Sequence, residues 1–216
     1  MKKIKIILGD DHAVVRQGVR ALLDQEKDMH VVGEAGDGLQ LLDLTEKLHP
    51  DVVVIDLRMP HLNGLEAARE IQRRYNDIHT VILTMYADRS YIDSALDAGV
   101  CGYVLKEEDI REMCVAIRHA ALGTQYLSPG VSRRVPSFDK SNSVTNPILL
   151  LTVRERQVFQ LIAEGKTNNE TAQILGISVR TVEVHRAHIM EKLNLDTHID
   201  FVRFALQYGI LADEKQ

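Results

Sequence analysis

The sequence has few of the features that mark membrane or secreted proteins. Its 216 residues contain no apolar run near the ~20 residues that a transmembrane helix needs. The apolar segment behind the basic N-terminus is too short for a signal peptide, and charged residues stand where a cleavage site would follow. The only cysteines, Cys101 and Cys114, form neither a CxxC motif nor a metal-binding pattern. We therefore expect a cytoplasmic protein without membrane contact, in which both cysteines are small buried side chains.

The chain also lacks a strongly basic segment. Residues 1–130 carry 15 lysines and arginines against 21 acidic residues, and residues 148–216 carry 8 against 9. Because a basic patch is the usual electrostatic footprint of nucleic-acid binding, bulk charge alone does not indicate a nucleic-acid partner. Nucleic-acid binding would therefore have to be indicated by sequence motifs.

The first part of the chain does contain a regular alternation of strand and helix patterns. Short apolar runs rich in β-branched residues predict strands, and the segments between them have helical spacing. The predicted strands cover residues 4–9, 29–35, 52–56, 80–85 and 102–105. Five strands alternating with five helices predict a doubly wound parallel sheet with helices on both faces.

A change of composition follows residue 127. Residues 128–147 hold three of the five prolines and many serines and asparagines, which is typical of a linker. Beyond it, the spacings Thr152/Glu155 and Thr167/Glu170 predict capping boxes at helix starts. The predicted helices cover residues near 153–164, 168–175, 179–193 and 198–208. The short "LGIS" turn between the second and third suggests a helix-turn-helix. The resulting division is a first domain at 1–127, a linker at 128–147 and a helical domain at 148–216.

The predicted strands of the first domain end in polar residues. Asp10 and Asp11 follow the first strand, Asp56 follows the apolar run "VVVI", Thr84 closes the fourth strand and Lys106 follows the fifth. Functional groups gather at the carboxyl ends of such sheets. Mg²⁺ relieves the repulsion of clustered carboxylates, and a lysine and a hydroxyl bind phosphoryl oxygens. Taken singly, the aspartates could merely cap a helix and the lysine could be a surface residue. Together they predict phosphoryl transfer to a carboxylate.

Residues 1–122 resemble a response-regulator receiver domain. The matching motifs are "DD" at 10–11, "DLRMPHLNG" at 56–64, "LT" at 83–84 and "GYVLK" at 102–106. The resemblance implies the flavodoxin-like strand order 2-1-3-4-5. It also implies that Asp56 accepts a phosphoryl group from the phosphohistidine of a sensor histidine kinase.

The same resemblance implies a metal site and a switch. Asp11, Asp56 and the backbone carbonyl of Arg58 are expected to bind Mg²⁺, with Asp10 acting through water. Thr84 is expected to move toward the phosphoryl group while Tyr103 turns inward behind it. Without the resemblance, Tyr103 would be read as an ordinary half-buried strand tyrosine.

Residues 151–193 are similar to the LuxR-type DNA-binding domain. With the receiver-like part in front, the whole chain resembles the NarL/FixJ family of response regulators. The stretch "GTQYLSP" at 123–129 also matches that family. The resemblance implies that the helix at 179–193 reads double-stranded DNA in the major groove. Because local charge is modest, we expect affinity to depend on a phosphorylated homodimer that binds two half-sites.

The predicted recognition helix has one buried stripe and one outward face. Small and apolar residues on the outward face allow close approach, and a glutamate can accept a hydrogen bond from cytosine N4. Flanking cations and hydroxyls can hold phosphates. A solvated helix of mixed charge is the alternative. The candidate DNA-binding residues are Arg180, Thr181, Glu183, Val184, His185, Arg186, Ala187 and Lys192.

Some features of the helical domain depart from the expected pattern. Phe159 and Thr171 stand where smaller or aliphatic residues are usual. We expect Phe159 in the core, and Thr171 partly exposed or in contact with a phosphate. The apolar face of the last helix, which includes Phe201 and Leu206, exceeds what one small core needs and is a candidate dimer contact.

Two other functions compete with a phosphorylation-switched transcription factor. A haloacid-dehalogenase-type hydrolase also uses a nucleophilic aspartate and Mg²⁺, but it normally has a second aspartate two residues later as general acid. Here that position is Arg58, so we do not expect an enzyme beyond slow autodephosphorylation. A receiver that acts through protein contacts alone is the other alternative, and the intact C-terminal helices count against it.

Overall fold

The structure is a computed structural model that describes residues 3–134, 147–207 and 210. The chain divides into two compact units, residues 1–140 and 141–216, and each is described by itself. No helix within the described ranges is both long and apolar enough to cross a membrane. Both cysteines are free thiols; Cys114 is buried and Cys101 is half-buried.

The first unit is a parallel sheet with helices on both faces, as predicted. Its strands lie in the order β2-β1-β3-β4-β5-β6. The elements are β1 (Ile4–Gly9), α1 (Ala13–Leu23), β2 (Met29–Ala35), α2 (Gly38–Leu48), β3 (Val52–Ile55), α3 (Gly64–Arg74), β4 (His79–Thr84), α4 (Arg89–Asp97), β5 (Gly102–Leu105), α5 (Ile110–Ala121), β6 (Tyr126–Leu127) and α6 (Pro129–Ser132).

The described part of the first unit has six strands, one more than the five predicted. β6 extends the sheet by pairing Tyr126 with Gly102 and Leu127 with Tyr103 on β5. Two residues are too few to produce a visible strand pattern, which explains the omission. The following α6 lies in the segment predicted as a linker, and its Val131 is fully buried in the core of the first unit. The predicted boundaries 1–127, 128–147 and 148–216 stay predictions, since residues 135–146 lie outside the described residues.

The central strands are buried on both faces, which accounts for their unbroken apolar runs. Alternate residues enter two separate cores: Val53 and Ile55 pack with α2, α3 and α4, whereas Val52 and Val54 pack with α1 and α5. Each side of β3 is therefore fixed by packed helices. Because Asp56 directly follows Ile55, its backbone is held in a rigid position.

The described part of the second unit has a 3₁₀ helix (Pro147–Leu150) and four α-helices, α7 (Val153–Ala163), α8 (Asn168–Leu175), α9 (Val179–Leu193) and α10 (His198–Gln207). Both predicted capping boxes are present, and Ser178 caps α9. Gly176 and Asn194 end α8 and α9 in the left-handed conformation. The predicted end of the last helix, residue 208, lies outside the described residues.

The core of this unit corrects two expectations. Phe159 is fully buried, as predicted, and its ring stacks on Phe201 at 5.3 Å. Thr171 is also fully buried rather than partly exposed, because α8 turns that position into the core. Phe201 and Ala205 are fully buried in the core of the unit. The apolar face of α10 that was expected to contact a second subunit is therefore smaller, and it retains partly exposed residues such as Leu206.

Candidate functional site

Three strand ends bring their charged side chains together at one edge of the sheet. The Lys106 Nζ atom lies 2.7 Å from Asp10 Oδ2 and 2.7 Å from Asp56 Oδ2. Asp10 and Asp56 are buried, whereas Asp11 is exposed. The ligand atoms of these three aspartates and of His12 all lie within 4.8 Å of one another. The structure therefore assembles the acidic cluster that the sequence placed at this edge.

Backbone hydrogen bonds between adjacent strands hold the cluster in register. The Asp56 N–H donates to the carbonyl of Gly9 at 2.8 Å, just where β1 ends. The Lys106 N–H donates to the carbonyl of Thr84 at 2.8 Å, at the end of β4. The relative positions of the site residues thus follow from the parallel ladder and not from flexible loops.

The electrostatics of the cluster are balanced around Lys106. Burial raises the pKa of Asp56 above its usual range, and the ammonium of Lys106 opposes that rise. Burial alone would lower the pKa of Lys106, but Asp56 and Asp10 raise it overall. The lysine is consequently a charged partner for two buried carboxylates.

The loop after Asp56 turns the chain away from the site. Asn63 caps α3 by accepting a hydrogen bond from the Glu66 N–H at 2.9 Å. A β-carbon at position 64 would lie 2.0 Å from the carbonyl oxygen of Asp56, so only glycine fits there. The sequence "LNG" at the end of the loop therefore keeps the start of α3 against the back of the Asp56 backbone.

The predicted switch residues meet at the backbone of one residue, Tyr86. Tyr103 is fully buried, points inward, and donates a 2.7 Å hydrogen bond from its hydroxyl to the carbonyl of Tyr86. The hydroxyl of Thr84 accepts a 3.3 Å hydrogen bond from the N–H of the same Tyr86. The guanidinium of Arg58 lies 4.0 Å from the centre of the Tyr86 ring. Tyr86, which the sequence did not indicate, links all three residues.

His12 and Arg16 also belong to the site, although sequence reasoning missed them. The His12 Nδ1 atom lies 2.7 Å from Asp11 Oδ1. The Arg16 guanidinium donates to the carbonyl of Asp10 at 2.5 Å and forms an ion pair with Glu34 at 3.2 Å. Their positions directly after the "DD" pair, one at the start of α1 and one a helical turn later, were the available signal.

The second unit presents a different kind of surface on α9. The predicted buried stripe is present and consists of Val182, Ile189 and Leu193. The outward face is exposed along most of the helix. Its exposed side chains are those of Arg180, Glu183, Val184, Ala187, His188 and Lys192. Thr181, His185 and Arg186 are half-buried.

Several candidate DNA-binding residues also have partners inside this unit. Lys192 forms a 2.7 Å ion pair with the buried carboxylate of Glu155, and it bridges α9 to the start of α7. Arg186 lies 5.8 Å from the ring centre of Phe201. Burial lowers the pKa of His185. Lys192 is therefore tied to the scaffold, whereas Arg180 forms a 3.4 Å ion pair with its helix neighbour Glu183 and no other ion pair within the described ranges.

Comparisons with known families agree with this division. The response regulator receiver domain family matches residues 6–118. The family of bacterial regulatory proteins described as luxR family matches residues 149–205. The transcriptional regulatory protein DegU of Brevibacillus brevis is 34% identical over 96% of this chain and 94% of its own. The oxygen regulatory protein NreC of Staphylococcus carnosus is 38% identical over 96% of this chain and 99% of its own.

Solved structures are similar over nearly the full length. The response regulator ChrA of a heme-sensing two-component system is 32% identical, with a TM-score of 0.53 over 98% of this chain and 100% of its own. A complex of the response regulator RcsB with DNA is 28% identical, with a TM-score of 0.61 over 96% of this chain and 99% of that chain. A further similar structure contains two RcsB dimers bound to two parallel DNAs.

Proposed function

This chain belongs to the NarL/FixJ family of response regulators, and we propose that it is a transcriptional regulator whose DNA binding is activated by phosphorylation of Asp56. One observation carries the proposal: a single ammonium, that of Lys106, pairs with the carboxylates of Asp10 and Asp56 at the carboxyl edge of the sheet. The proposed partners are a sensor histidine kinase and double-stranded DNA. Binding to DNA would place this activity in the cytoplasm.

In the proposed reaction, a carboxylate oxygen of Asp56 attacks the phosphorus of a phosphohistidine. A P–O bond forms while the P–N bond breaks, and the departing histidine nitrogen keeps the electron pair. The ammonium of Lys106, 2.7 Å from Asp56 Oδ2, offsets the charge that gathers on the phosphoryl oxygens. The hydroxyl of Thr84 supplies a further hydrogen-bond donor at the same edge.

The donor set of the site fits a hard cation. Asp10, Asp11 and Asp56 bring carboxylate oxygens within 4.8 Å of one another, and such oxygens are the ligands that Mg²⁺ prefers. These three residues and the carbonyl of Arg58 would hold Mg²⁺, which when bound neutralises charge on the transferring group. The side chain of Arg58 lies over Tyr86 and supplies no acid to the site, which favours a phosphoryl acceptor over a hydrolase.

The shared contacts of Tyr86 support a switch of Thr84 and Tyr103. A phosphoryl group on Asp56 adds strong acceptors near Thr84. When the Thr84 hydroxyl turns toward them, its contact with the Tyr86 N–H is lost, and the carbonyl that holds the Tyr103 hydroxyl is free to move. The rearrangement would couple Asp56 to the packing around β5, and such packing changes are two-state rather than graded.

The proposed output is binding of α9 in the major groove by a homodimer. Val184 and Ala187 are exposed on α9 and can contact thymine methyl groups. The likeness to RcsB bound to DNA as dimers supports this arrangement. The near-neutral charge of the unit explains why two subunits on two half-sites would be needed.

The test uses the full chain, a small-molecule phosphodonor, Mg²⁺, and a DNA site selected from a random library by the wild-type protein. Intact mass, mass in solution and DNA affinity are measured together. We expect wild type to gain one phosphoryl group, to dimerise and to bind DNA more tightly. Asp56→Asn should do none of these, and Ala187→Glu should be phosphorylated but bind DNA weakly.

The outcomes separate the parts of the proposal. Phosphorylation of Asp56→Asn at the same site and to the same extent would refute the acceptor assignment. Equal DNA binding by wild type and Ala187→Glu would refute the role of α9 and favour a receiver that acts by protein contact. Phosphorylation without any change in DNA affinity would refute activation.

A further inference from the structure

We propose that His12 is a nitrogen ligand for divalent transition-metal ions at the acidic site, so that the site distinguishes these ions from Mg²⁺. The His12 Nδ1 atom lies 2.7 Å from Asp11 Oδ1 and 3.4 Å from Asp10 Oδ1. Together with Asp56, these groups form a set whose ligand atoms are all within 4.8 Å of one another. The inference rests on the proposed cation site and adds a determinant of which cation binds there.

Hydrogen bonds hold the backbone of His12 close to the site. The His12 N–H donates to Asp10 Oδ1 at 2.8 Å, and the His12 carbonyl accepts from the Arg16 N–H at 3.0 Å as α1 begins. The guanidinium of Arg16 in turn holds the carbonyl of Asp10. These bonds hold the backbone of His12 next to Asp10, and from there the imidazole reaches the carboxylates of Asp10 and Asp11.

Exposure makes the ring available to an entering ion. The side chain of His12 is 67% exposed, whereas that of Asp10 is 8% exposed. The imidazole is therefore open to solvent beside the buried carboxylates. Among the described residues, the contacts that Nδ1 would exchange for an ion are those with Asp11 and Asp10.

Ligand chemistry then predicts a difference between metals. Mg²⁺ takes oxygen ligands almost exclusively and retains several waters. Imidazole is a good ligand for iron, nickel, copper and zinc, and affinity rises along the first-row series from manganese to copper. Three carboxylates with one imidazole should thus bind Co²⁺ or Ni²⁺ more tightly than the carboxylates alone, with little gain for Mg²⁺.

The experiment compares full-length wild type, His12→Gln and His30→Gln. Glutamine at position 12 retains hydrogen bonding to Asp11 but removes the imidazole. His30 is an exposed histidine on β2, outside the cluster, and serves as the matched control. Affinities for Co²⁺ and Mg²⁺ are measured by calorimetry, and proton NMR of the Co²⁺-loaded protein records paramagnetically shifted imidazole N–H resonances.

We expect His12→Gln to lower the Co²⁺ affinity about tenfold or more, to leave the Mg²⁺ affinity nearly unchanged and to remove one shifted imidazole resonance. The control should behave as wild type. Unchanged Co²⁺ affinity in His12→Gln, or an equal loss for both metals, would overturn the role of His12. Failure of wild type to bind Mg²⁺ at all would instead show that the proposed cation site is wrong.

Discussion

The two units place their functional groups in opposite ways. At the sheet edge, Asp10, Asp56 and Lys106 are drawn from three strands, are largely buried and satisfy one another. On α9, candidates such as Arg180 and Ala187 come from one helix and face outward. A site assembled from several strand ends depends on the whole sheet, whereas a helix face depends on how one helix is anchored. Substitutions that disturb the sheet should therefore impair the acidic site, whereas substitutions that loosen the anchoring of α9 should impair DNA binding.

The largest expected effect is that of Gly64→Ala on the first unit. The added β-carbon would meet the carbonyl oxygen of Asp56 at 2.0 Å, and backbone cannot retreat as a flexible side chain does. We expect a loss of about 3 kcal/mol in the free energy of unfolding, measured by urea denaturation followed by circular dichroism. The matched control is Gly18→Ala on α1, where nothing lies within 4 Å of the added atom.

That control should be neutral or stabilising, since alanine is favoured over glycine inside a helix by roughly 0.5–1 kcal/mol. Equal stability of the two variants would mean that α3 does not hold the Asp56 backbone in place. The position of Asp56 would then depend less on the packing of the first unit than we infer from the two sites.

The next effect concerns the anchoring of α9. Because Lys192 is paired with the buried carboxylate of Glu155, we expect it to orient the helix and not to neutralise a phosphate. Lys192→Met should weaken DNA binding about tenfold, since the loss deprives the buried Glu155 carboxylate of its ammonium partner. Its plot of log affinity against log salt should keep the wild-type slope.

Arg180→Met is the matched control, because its guanidinium is 85% exposed and has no buried partner among the described residues. It should reduce the salt slope by about 1, as expected for a lost phosphate contact. If Lys192→Met changed the salt slope as Arg180→Met does, Lys192 would be a phosphate ligand. Lys192 would then belong to the DNA-contacting surface and not to the residues that anchor α9.

A smaller effect concerns the pH dependence of stability in the first unit. The pKa of Asp56 is raised by burial, so the native state binds its proton more tightly than the unfolded state. The ionised carboxylate therefore opposes folding above the ordinary aspartate pKa, and this penalty vanishes when pH falls below it. Asp56→Asn should stabilise the unit at neutral pH, with a gain that disappears in acid.

Urea denaturation of both proteins between about pH 3.5 and pH 7.5, with a chelator present, would measure this difference. A gain that is independent of pH would mean that the ionisation of Asp56 is fully compensated by Lys106. The acidic site would then impose no pH-dependent stability penalty and would resemble the exposed face of α9 in that respect.

The sequence predicted most of the first unit because strand ends are local features. Asp56 after "VVVI" and Lys106 after "GYVL" needed only the parallel topology to converge. β6 was missed since two residues have no periodicity. The role of Tyr86 was hidden because its N–H and carbonyl, not its side-chain type, contact Thr84 and Tyr103.

The second unit was predicted less completely for a different reason. Capping boxes located its helices well, but helix packing decides which side chains become partners. Lys192 and Glu155 are 37 positions apart, and no local pattern joins them. Thr171 was likewise expected to be partly exposed or in contact with a phosphate because of its hydroxyl, although the packing of the unit buries it completely.

The smallest expected effect tests that buried threonine. The Thr171 hydroxyl has no hydrogen-bond partner among the described residues, and the side chain is fully buried. Replacing it with valine keeps the shape and removes an unsatisfied polar atom, so Thr171→Val should stabilise the second unit by about 1 kcal/mol. The matched control is Thr45→Val on α2, because the equally buried Thr45 hydroxyl donates to the Leu41 carbonyl at 2.7 Å. Thermal denaturation should show a gain for the first variant and none for the second; a loss of stability in Thr171→Val would show that its hydroxyl is satisfied in solution.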